Sequence, residues 1–435
     1  MPEMFSLPRG MKDINSEEMT RRLWLYDKIR EVVARYGFQL VEPSTIENLE
    51  TLEAKSGPAI RNEIYWFKDK SERDLGLRFD LTVGLTRMVT SRTDLPEPIK
   101  YATIGGNWRY DEPQFGRYRY FTQWDIEIFG AASPAADAEV ICVGADIMQN
   151  VGLKNFKIRI SNRKLTEAYL NQLGLPSGEK LDQTLRIIDK IRKITREEVE
   201  KEFIASGIDS SSVEKILDFI SISGPPKDVL QRLVTIDFRE DKAKLAIDEL
   251  KLLAETLEAY GRTEICTYDL SIVRGIGYYD GIVFEGYDQA EEVGAVFGGG
   301  RYDGLCKIFG KRDIPATGVA GGVERLMISL EKANLFPKTK PVAKVFIATI
   351  QADANPEAAK LATQLREKNI PTQTDLKERS LSKQLEYVNA SGIPYMIVLG
   401  RRELESRVVK IKNMSTREEV ETPLDEVCSR LEQLG

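Results

Sequence analysis

The sequence predicts an α+β protein, with a strand-rich core that a helical segment interrupts and a small α/β domain that follows. Three observations indicate this. Strand-like runs recur up to about residue 160, and residues 164–260 carry Lys, Glu, Leu and Ile at helical spacing. Beyond residue 342, strands alternate with helices. A chain of 435 residues is long enough to bury the cores of two or three domains.

The first block begins with a helix and continues mainly as strands. Asn15 and Glu18 form a helix-start pattern, and apolar residues at helical spacing carry this helix to Gly37. The elements predicted next are strands at 38–41, 64–68, 75–80, 99–105 and 117–129, a helix near 135–150 and a strand at 156–160. Residues 164–260 lack strand-like runs, and the elements predicted after them are strands within 263–285 and 294–304 and a helix at 322–332.

A change of pattern near residue 335 separates the last block. Residues 335–341 contain two prolines and two lysines and are predicted to be a linker. Asn355 and Pro356 have the chemistry of a helix N-cap and first position. The other predicted elements are strands at 344–350, 371–375 and 395–399, a helix at 380–391, an edge hairpin and a last helix. The expected domain limits are 1–163 and 261–334 for the two parts of the core, 164–260 for the helical insertion and 342–435 for the last domain.

Composition excludes several classes of protein and site. No apolar stretch approaches the length of a membrane span, and the first residues lack the apolar core of a signal peptide, so a cytoplasmic protein is expected. The four cysteines form no Cys-x-x-Cys pair, which argues against a structural zinc site or a disulfide scaffold. The chain has no histidine, so no metal ligand or general base of the protein can be an imidazole. A net charge of −6 argues mildly against a general nucleic-acid binder, but it leaves open a local basic surface, because phosphate binding depends on the patch and not on the total charge.

The segment from Asn107 to Gly130 carries the strongest functional signal. Through 117–129, apolar residues alternate with charged or polar ones, which a strand places on opposite faces. The charged face holds Arg117, Arg119, Gln123, Asp125 and Glu127. Guanidiniums near the turn and carboxylates further along suit ligands with an anionic and a cationic end, such as ATP and an amino acid. The alternative is an ordinary ribbon with a solvated face.

Three further segments combine glycines with charged residues. The glycines after Arg274 either let a ligand approach the backbone or form a tight hairpin with a solvent-facing arginine. Gly298–Gly300 lack the spacing of a phosphate loop and favour close packing around a substrate. Within 317–326, Arg325 lies in the first turn of a helix, where the dipole disfavours a cation, so a negative partner is expected.

An acid and two tyrosines complete the candidate set. Asp80 ends a strand next to Thr82 and suits a helix cap as well as a ligand for an ammonium group. Tyr278 and Tyr279 point to opposite faces of a strand, so at least one of them can present its hydroxyl group to a pocket.

Together these segments resemble the class II aminoacyl-tRNA synthetases. GFQLVEP at 37–43 is similar to motif 1, Arg109–Glu127 to motif 2, and TGVAGGVERL at 317–326 to motif 3. RGIGYY at 274–279 and GGGRYDGL at 298–305 are similar to two segments peculiar to the histidyl-tRNA synthetases, with a glycine at position 277 where that family usually has an acid. The resemblance implies an antiparallel sheet of six or more strands, a homodimer through motif 1 and a C-terminal anticodon-binding domain.

The resemblance also implies a reaction and its residues. Histidine attacks the α-phosphate of ATP, pyrophosphate leaves, and the adenylate then acylates histidine tRNA. Mg²⁺ accompanies the ATP, and no structural zinc is implied. The implied ATP-binding residues are Arg109, Glu112, Arg117, Arg274 and Arg325, of which Arg109 and Arg274 are catalytic. The implied histidine-binding residues are Asp80, Thr82 and Gln123 at the ammonium group, Arg109 and Arg274 nearby, and Glu127, Tyr278, Tyr279 and Tyr302 around the ring.

Two alternatives remain. A synthetase-like regulatory subunit of histidine biosynthesis binds without ligating, but that family lacks the catalytic arginine and the C-terminal domain, and both Arg274 and residues 342–435 are present here. A class II synthetase for another small amino acid is opposed by the segment 274–279. Amino-acid-dependent pyrophosphate exchange distinguishes these possibilities.

Overall fold

The computed structural model describes the chain in two compact units, residues 1–336 and 337–435. The described ranges are 6–56, 58–112, 118–175, 178–192, 194–274, 279–288, 290, 293–310, 312–338 and 341–434. The division between the units falls inside the proline-containing segment predicted as a linker. Within these ranges, no helix is both long and apolar enough to cross a membrane. The domain limits predicted inside the first unit stay predictions.

The first unit is built on one large sheet. Its strands are β1 (Gln39–Leu40), β2 (Ile46–Asn48), β3 (Trp66–Lys68), β4 (Asp74–Leu77), β5 (Ile99–Trp108), β6 (Tyr120–Phe129), β7 (Phe156–Asn162), β8 (Ser223–Gly224), β9 (Cys266–Asp269), β10 (Ile282–Asp288), β11 (Phe297–Arg301) and β12 (Ala316–Gly322). Among the described residues, nine strands form a sheet in the order β1-β5-β6-β12-β11-β10-β7-β9-β8, and β2, β4 and β3 form a small second sheet. The centre of the large sheet, from β5 to β7, is antiparallel throughout. The predicted α+β class with an antiparallel core is therefore confirmed.

Helices cover the sheet and fill the middle of the unit. They are α1 (Ser16–Arg35), α2 (Leu49–Ser56), α3 (Thr82–Thr90), α4 (Pro134–Asn150), α5 (Arg163–Gln172), α6 (Glu179–Ile188), α7 (Arg196–Ala205), α8 (Ser210–Ile220), α9 (Pro226–Val234), α10 (Asp241–Ala259), α11 (Asp303–Phe309) and α12 (Val323–Lys332). Helix α1 begins as predicted, because the Asn15 side chain accepts a hydrogen bond from the main-chain N–H of Glu18 at 2.9 Å. Helix α4 lies against the sheet and buries most of its length in the core.

The helices within 164–260 share the core of the sheet rather than packing among themselves alone. Leu165 of α5 and Leu250 of α10 belong to the same hydrophobic cluster as Trp124 of β6. The prediction that this segment lacks strands is wrong in one place, since β8 joins the edge of the sheet beside β9. Two residues are too few to give a strand pattern in the sequence.

The second unit has a mixed sheet. Its strands are β13 (Val345–Thr349), β14 (Thr372–Thr374), β15 (Tyr395–Leu399), β16 (Val408–Asn413) and β17 (Glu419–Pro423), and its helices are α13 (Asn355–Glu367), α14 (Leu381–Ala390), α15 (Arg401–Ser406) and α16 (Val427–Gln433). β14, β13 and β15 are parallel, as predicted, and β16 and β17 add an antiparallel edge hairpin. The predicted N-cap at Asn355 is wrong. A 3₁₀ turn over Ala352–Ala354 runs directly into α13, so Asn355 already has helical angles.

Candidate active site

Strand β6 divides its side chains between the core and a cleft, as the alternation predicted. Trp124, Ile126 and Ile128 are buried in apolar clusters, and the Trp124 ring lies 6.2 Å from that of Phe297. Gln123 and Asp125 line the cleft on the other face. The predicted alternation does not reach back to residue 119, because β6 begins at Tyr120. Arg119 instead stacks on the ring of Tyr110 at 4.1 Å.

The cleft has a volume of about 1160 Å³ and brings together most of the predicted site residues. Those that line it are Asp80, Thr82, Arg109, Gln123, Arg274, Tyr279 and Arg325. Glu127 is buried next to Thr82, and Tyr302 is buried next to Glu127. Arg117 and Tyr278 lie outside the described residues. Five distant segments of the chain thus converge on one site.

One end of the cleft is acidic. The Thr82 hydroxyl oxygen lies 3.0 Å from Oε1 of Glu127 and 3.3 Å from Oδ2 of Asp125. A hydroxyl group has one proton, so Thr82 can donate to one of these carboxylates at a time. Asp80 adds a third carboxylate and accepts a hydrogen bond from Val83 N at 3.1 Å in the first turn of α3. Two carboxylates at this hydroxyl group and a third one two positions before Thr82 favour a cationic ligand.

The Glu127 carboxylate is fixed from two sides. Tyr302 donates a hydrogen bond to its Oε2 at 2.6 Å. Gly318 of β12 lies directly opposite in the sheet register, and a Cβ atom there would be 1.4 Å from the same oxygen. The glycine therefore provides the space that the carboxylate occupies. Burial, together with the charge of Glu127, raises the pKa of the nearby Cys306 thiol to about 12, so this thiol is neutral at pH 7.

Three of the predicted arginines also line the cleft, and each of them is held by the main chain. Arg109 Nε donates to the carbonyl oxygen of Phe79 at 2.9 Å, and its guanidinium lies 4.9 Å from the centre of the Phe121 ring. Arg325 Nη1 donates to the carbonyl oxygen of Ala295 at 2.9 Å. Guanidinium groups held in this way present fixed donors to a phosphate group.

Arg274 is anchored on strand β10 and lies over a glycine. Its Nη1 donates to the carbonyl oxygen of Phe284 at 3.2 Å, and its Nε lies 3.2 Å from Oε1 of Glu285. A Cβ atom at Gly298 would be 1.4 Å from Nη1. Gly298 therefore provides the space that the guanidinium occupies. The predicted packing of the glycine run around a substrate stays a prediction.

The start of α12 is joined to β6 and α1 through Glu324. Both carboxylate oxygens of Glu324 lie 3.1 Å from the main-chain nitrogen of Thr122. The buried guanidinium of Arg22 lies 2.9 Å from the same carboxylate and also pairs with Glu18. This network fixes the helix turn that carries Arg325.

Sequence reasoning missed several residues of the cleft. Asp125 was placed on the correct face without a role, and Phe121 and Glu285 were not singled out, although all three line the cleft. Their strand parity is the signal that could have found them. Glu112 lies near the end of a described range and pairs with Arg9 at 2.6 Å on the surface.

Comparisons with known proteins agree with this geometry. The family model described as histidyl-tRNA synthetase matches residues 10–326, and the model described as anticodon binding domain matches residues 344–434. A histidine–tRNA ligase from Pyrococcus abyssi is 38% identical over 433 residues, which cover 99% of this chain and 99% of that protein.

Solved structures show the same architecture. A histidyl-tRNA synthetase from Nostoc has a TM-score of 0.82 at 28% identity and covers 99% of each chain. A Bacillus halodurans protein described as an ATP phosphoribosyltransferase regulatory subunit/histidyl-tRNA synthetase has a TM-score of 0.74 at 24% identity over 89% of this chain and 97% of its own, and it supports the fold alone. The family model and the full-length relative show that this chain belongs to the histidyl-tRNA synthetase family.

Proposed function

We propose that this protein is a histidine–tRNA ligase, which activates L-histidine with ATP and transfers it from the adenylate to histidine tRNA. The observation that carries the proposal is that one cleft holds both a cluster of carboxylates and three arginines. Asp125 and Glu127 contact Thr82, and Arg109, Arg274 and Arg325 line the same cleft. An amino acid beside a triphosphate is a ligand pair with this distribution of charge.

The acidic end would hold the amino acid. Asp80, Thr82 and Gln123 would bind the α-ammonium group, with Asp125 beside them. Glu127, Tyr279 and Tyr302, together with Tyr278, would surround the imidazole ring. A carboxylate and a phenol can bond both ring nitrogens of one imidazole, which distinguishes histidine from other amino acids of similar size.

The arginines of the cleft would hold ATP, which enters with Mg²⁺ as the substrate complex. Arg109 and Arg274 would bind the α-phosphate, where negative charge spreads during the transfer, and Arg325 would bind the distal phosphates and pack against the adenine. Arg117 and Glu112 would complete the ATP site near the hairpin turn. The attacking group is the carboxylate of histidine itself, so the step needs positioning and charge stabilisation rather than a general base of the protein.

The second unit would bind the anticodon of histidine tRNA. It matches the anticodon-binding model over almost its whole length. The regulatory-subunit alternative is not favoured, because the full-length relatives are ligases and Arg274 lies in the cleft beside the other candidate residues.

We further propose a homodimer in the cytoplasm. β1, which lies in the motif 1 segment, is an edge strand of the large sheet, with Leu40 at 54% exposure. Apolar side chains at an uncovered sheet edge favour pairing with another chain. All four cysteines are free thiols, which fits a reducing compartment. Sedimentation equilibrium of wild type and Leu40→Asp tests the dimer, since the variant should shift the mass toward one chain.

ATP–pyrophosphate exchange with each of the twenty amino acids tests the reaction. Exchange should depend on histidine alone, and histidine tRNA should accept the amino acid in a separate charging assay. Exchange with another amino acid would assign a different specificity. Histidine binding without any exchange would favour the regulatory-subunit alternative.

A further inference from the structure

We propose that Glu285 is the positioning residue that fixes the Arg274 guanidinium for adenylate formation. The inference rests on the proposed function, in which Arg274 binds the α-phosphate. Glu285 lies on β10, lines the cleft and lies outside every segment that indicated the family. Its effect would pass through Arg274 rather than through contact with a substrate.

Strand β10 supplies two neighbouring acceptors for one guanidinium. Phe284 offers its carbonyl oxygen to Nη1, and Glu285 offers Oε1 to Nε, each at 3.2 Å. The two side chains of the ion pair are 26% and 17% exposed for Arg274 and Glu285, so the contact is largely shielded from solvent. The main-chain hydrogen bond at Nη1 and the ion pair at Nε act on different sides of the guanidinium, so together they restrict its position.

An arginine in this place needs such an anchor. Its long side chain has many rotamers, and Gly298 of β11 gives the guanidinium room. Arg274 also has a positive φ of 26°, so the direction of its side chain departs from that of an ordinary strand residue. Glu285 supplies an ion pair with this guanidinium, which a glycine cannot do.

Glu285 is itself held in place. The Tyr287 hydroxyl group donates a hydrogen bond to Oε2 of Glu285, which leaves Oε1 for Arg274. The Arg159 guanidinium lies 4.5 Å from the centre of the Tyr287 ring and 3.9 Å from the Asp269 carboxylate. Glu285 and Tyr287 are two positions apart on one strand, so both face the cleft.

The charge of Glu285 supports a positioning role over a binding role. A carboxylate facing a cleft that takes a triphosphate repels that ligand. Pairing with Arg274 neutralises the negative charge of Glu285 and so removes most of this repulsion. If Glu285 contacted the phosphates directly, its negative charge would repel them without a neutralising arginine between the two groups.

The test is histidine-dependent pyrophosphate exchange by Glu285→Gln and Glu285→Ala in the full-length protein. Mispositioning of a catalytic group costs on the order of 10–100-fold in rate, so kcat should fall by about that factor for Glu285→Ala and by less for Glu285→Gln. The KM for histidine should stay within about threefold, because the groups proposed to bind histidine remain. Glu249→Gln is the matched control, since it changes a half-buried ion pair with Lys164 outside the cleft and should leave exchange unchanged.

A double-mutant cycle separates positioning from general structural damage. In an Arg274→Ala background, Glu285→Ala should cause about twofold further loss or less, because its effect acts through the missing side chain. Added guanidinium ion should partly restore Arg274→Ala and should fail to restore the double variant, which lacks the carboxylate that would bind the ion. Additive losses, or equal rescue of both proteins, would overturn the proposal. An inactive wild type would instead refute the proposed function, and an active wild type with a fully active Glu285→Ala would refute the positioning role alone.

Discussion

The Tyr302 hydroxyl group lies 2.6 Å from Oε2 of Glu127, and 175 positions of the chain separate the two residues. Thr82 reaches the other oxygen of the same carboxylate from a third segment. One buried carboxylate therefore joins α3, β6 and the segment that begins α11. The proposed ring end of the histidine site depends on this junction.

Glu127→Gln should weaken histidine binding far more than ATP binding. The change removes the charge and replaces one acceptor oxygen with a donor, and a hydrogen bond to a charged group contributes about 1.5–3 kcal/mol. The KM for histidine should rise by about tenfold or more, while the KM for ATP stays close to wild type. Steady-state pyrophosphate exchange measures both constants. Tyr36→Phe is the control, because it removes a hydrogen bond outside the cleft, from the Tyr36 hydroxyl group to Asp146.

Gly318→Ala should damage the same site by adding one carbon atom. The new Cβ would lie 1.4 Å from Oε2 of Glu127, so the carboxylate must move. The KM for histidine should rise as it does in Glu127→Gln. Gly304→Ala serves as the comparison, since its Cβ would meet the nearest atom at 3.4 Å, an ordinary contact distance. Wild-type kinetics in Gly318→Ala would show that Glu127 can be displaced without consequence.

Arg274→Ala should fold and yet lose most adenylation. One preorganised donor at a developing charge typically contributes about 10²–10³ in rate. Single-turnover formation of histidyl-adenylate measures the step directly. Arg30→Ala removes an exposed arginine that pairs with Asp27 and should leave the rate unchanged. A rate within a few-fold of wild type for Arg274→Ala would remove this residue from the proposed mechanism.

Removal of residues 337–435 should separate the two steps of the reaction. The first unit has its own sheet and core, so histidine-dependent pyrophosphate exchange should remain largely intact. Charging of histidine tRNA should become inefficient, because the proposed anticodon-binding unit is absent. Thermal unfolding of the truncated chain checks that it is folded. A folded truncated chain without exchange would contradict the assignment of all catalytic groups to the first unit.

Glu18 predicts a pH dependence of stability. Burial raises its pKa, but hydrogen bonds and charge from Lys12 and Arg22 outweigh burial and hold the pKa below its ordinary value of 4.5. The stabilisation is therefore complete above pH 4.5 and is lost as the pH falls through the lowered value in the folded protein. Urea unfolding of wild type and Glu18→Gln should differ at neutral pH and converge in acid. The exposed Glu50→Gln should not reproduce this convergence.

Local patterns were sufficient for much of the fold and the site. The alternation through β6 correctly placed Trp124 in the core and Gln123 in the cleft, because a strand fixes the side of each residue without reference to the rest of the chain. Asn15 likewise predicted the start of α1 from its own neighbours. When a single helix or strand fixes the position of a residue, the sequence of that element is enough to predict the position.

Contacts between distant segments account for what was missed. The sequence at the start of helix α11 gives no clear capping signal. The residue that binds its first N–H groups is Asp280, which accepts from Asp303 N at 3.1 Å and from Gly304 N at 2.8 Å. Glu285 gained a role through Arg274, which precedes β10 in the same stretch of sequence. The sequence of such a pair does not show which atoms meet, so the fold must be known before their relation is visible.

The bare backbone at Gly298 and Gly318 has an evolutionary consequence. Any single-base change that replaces a glycine adds at least one carbon atom, and at both positions that carbon would lie 1.4 Å from a side-chain atom of a proposed site residue. Selection there acts against added volume rather than for a particular functional group. We therefore expect these two glycines to be replaced as slowly among descendants of this gene as the arginines proposed to bind the phosphates.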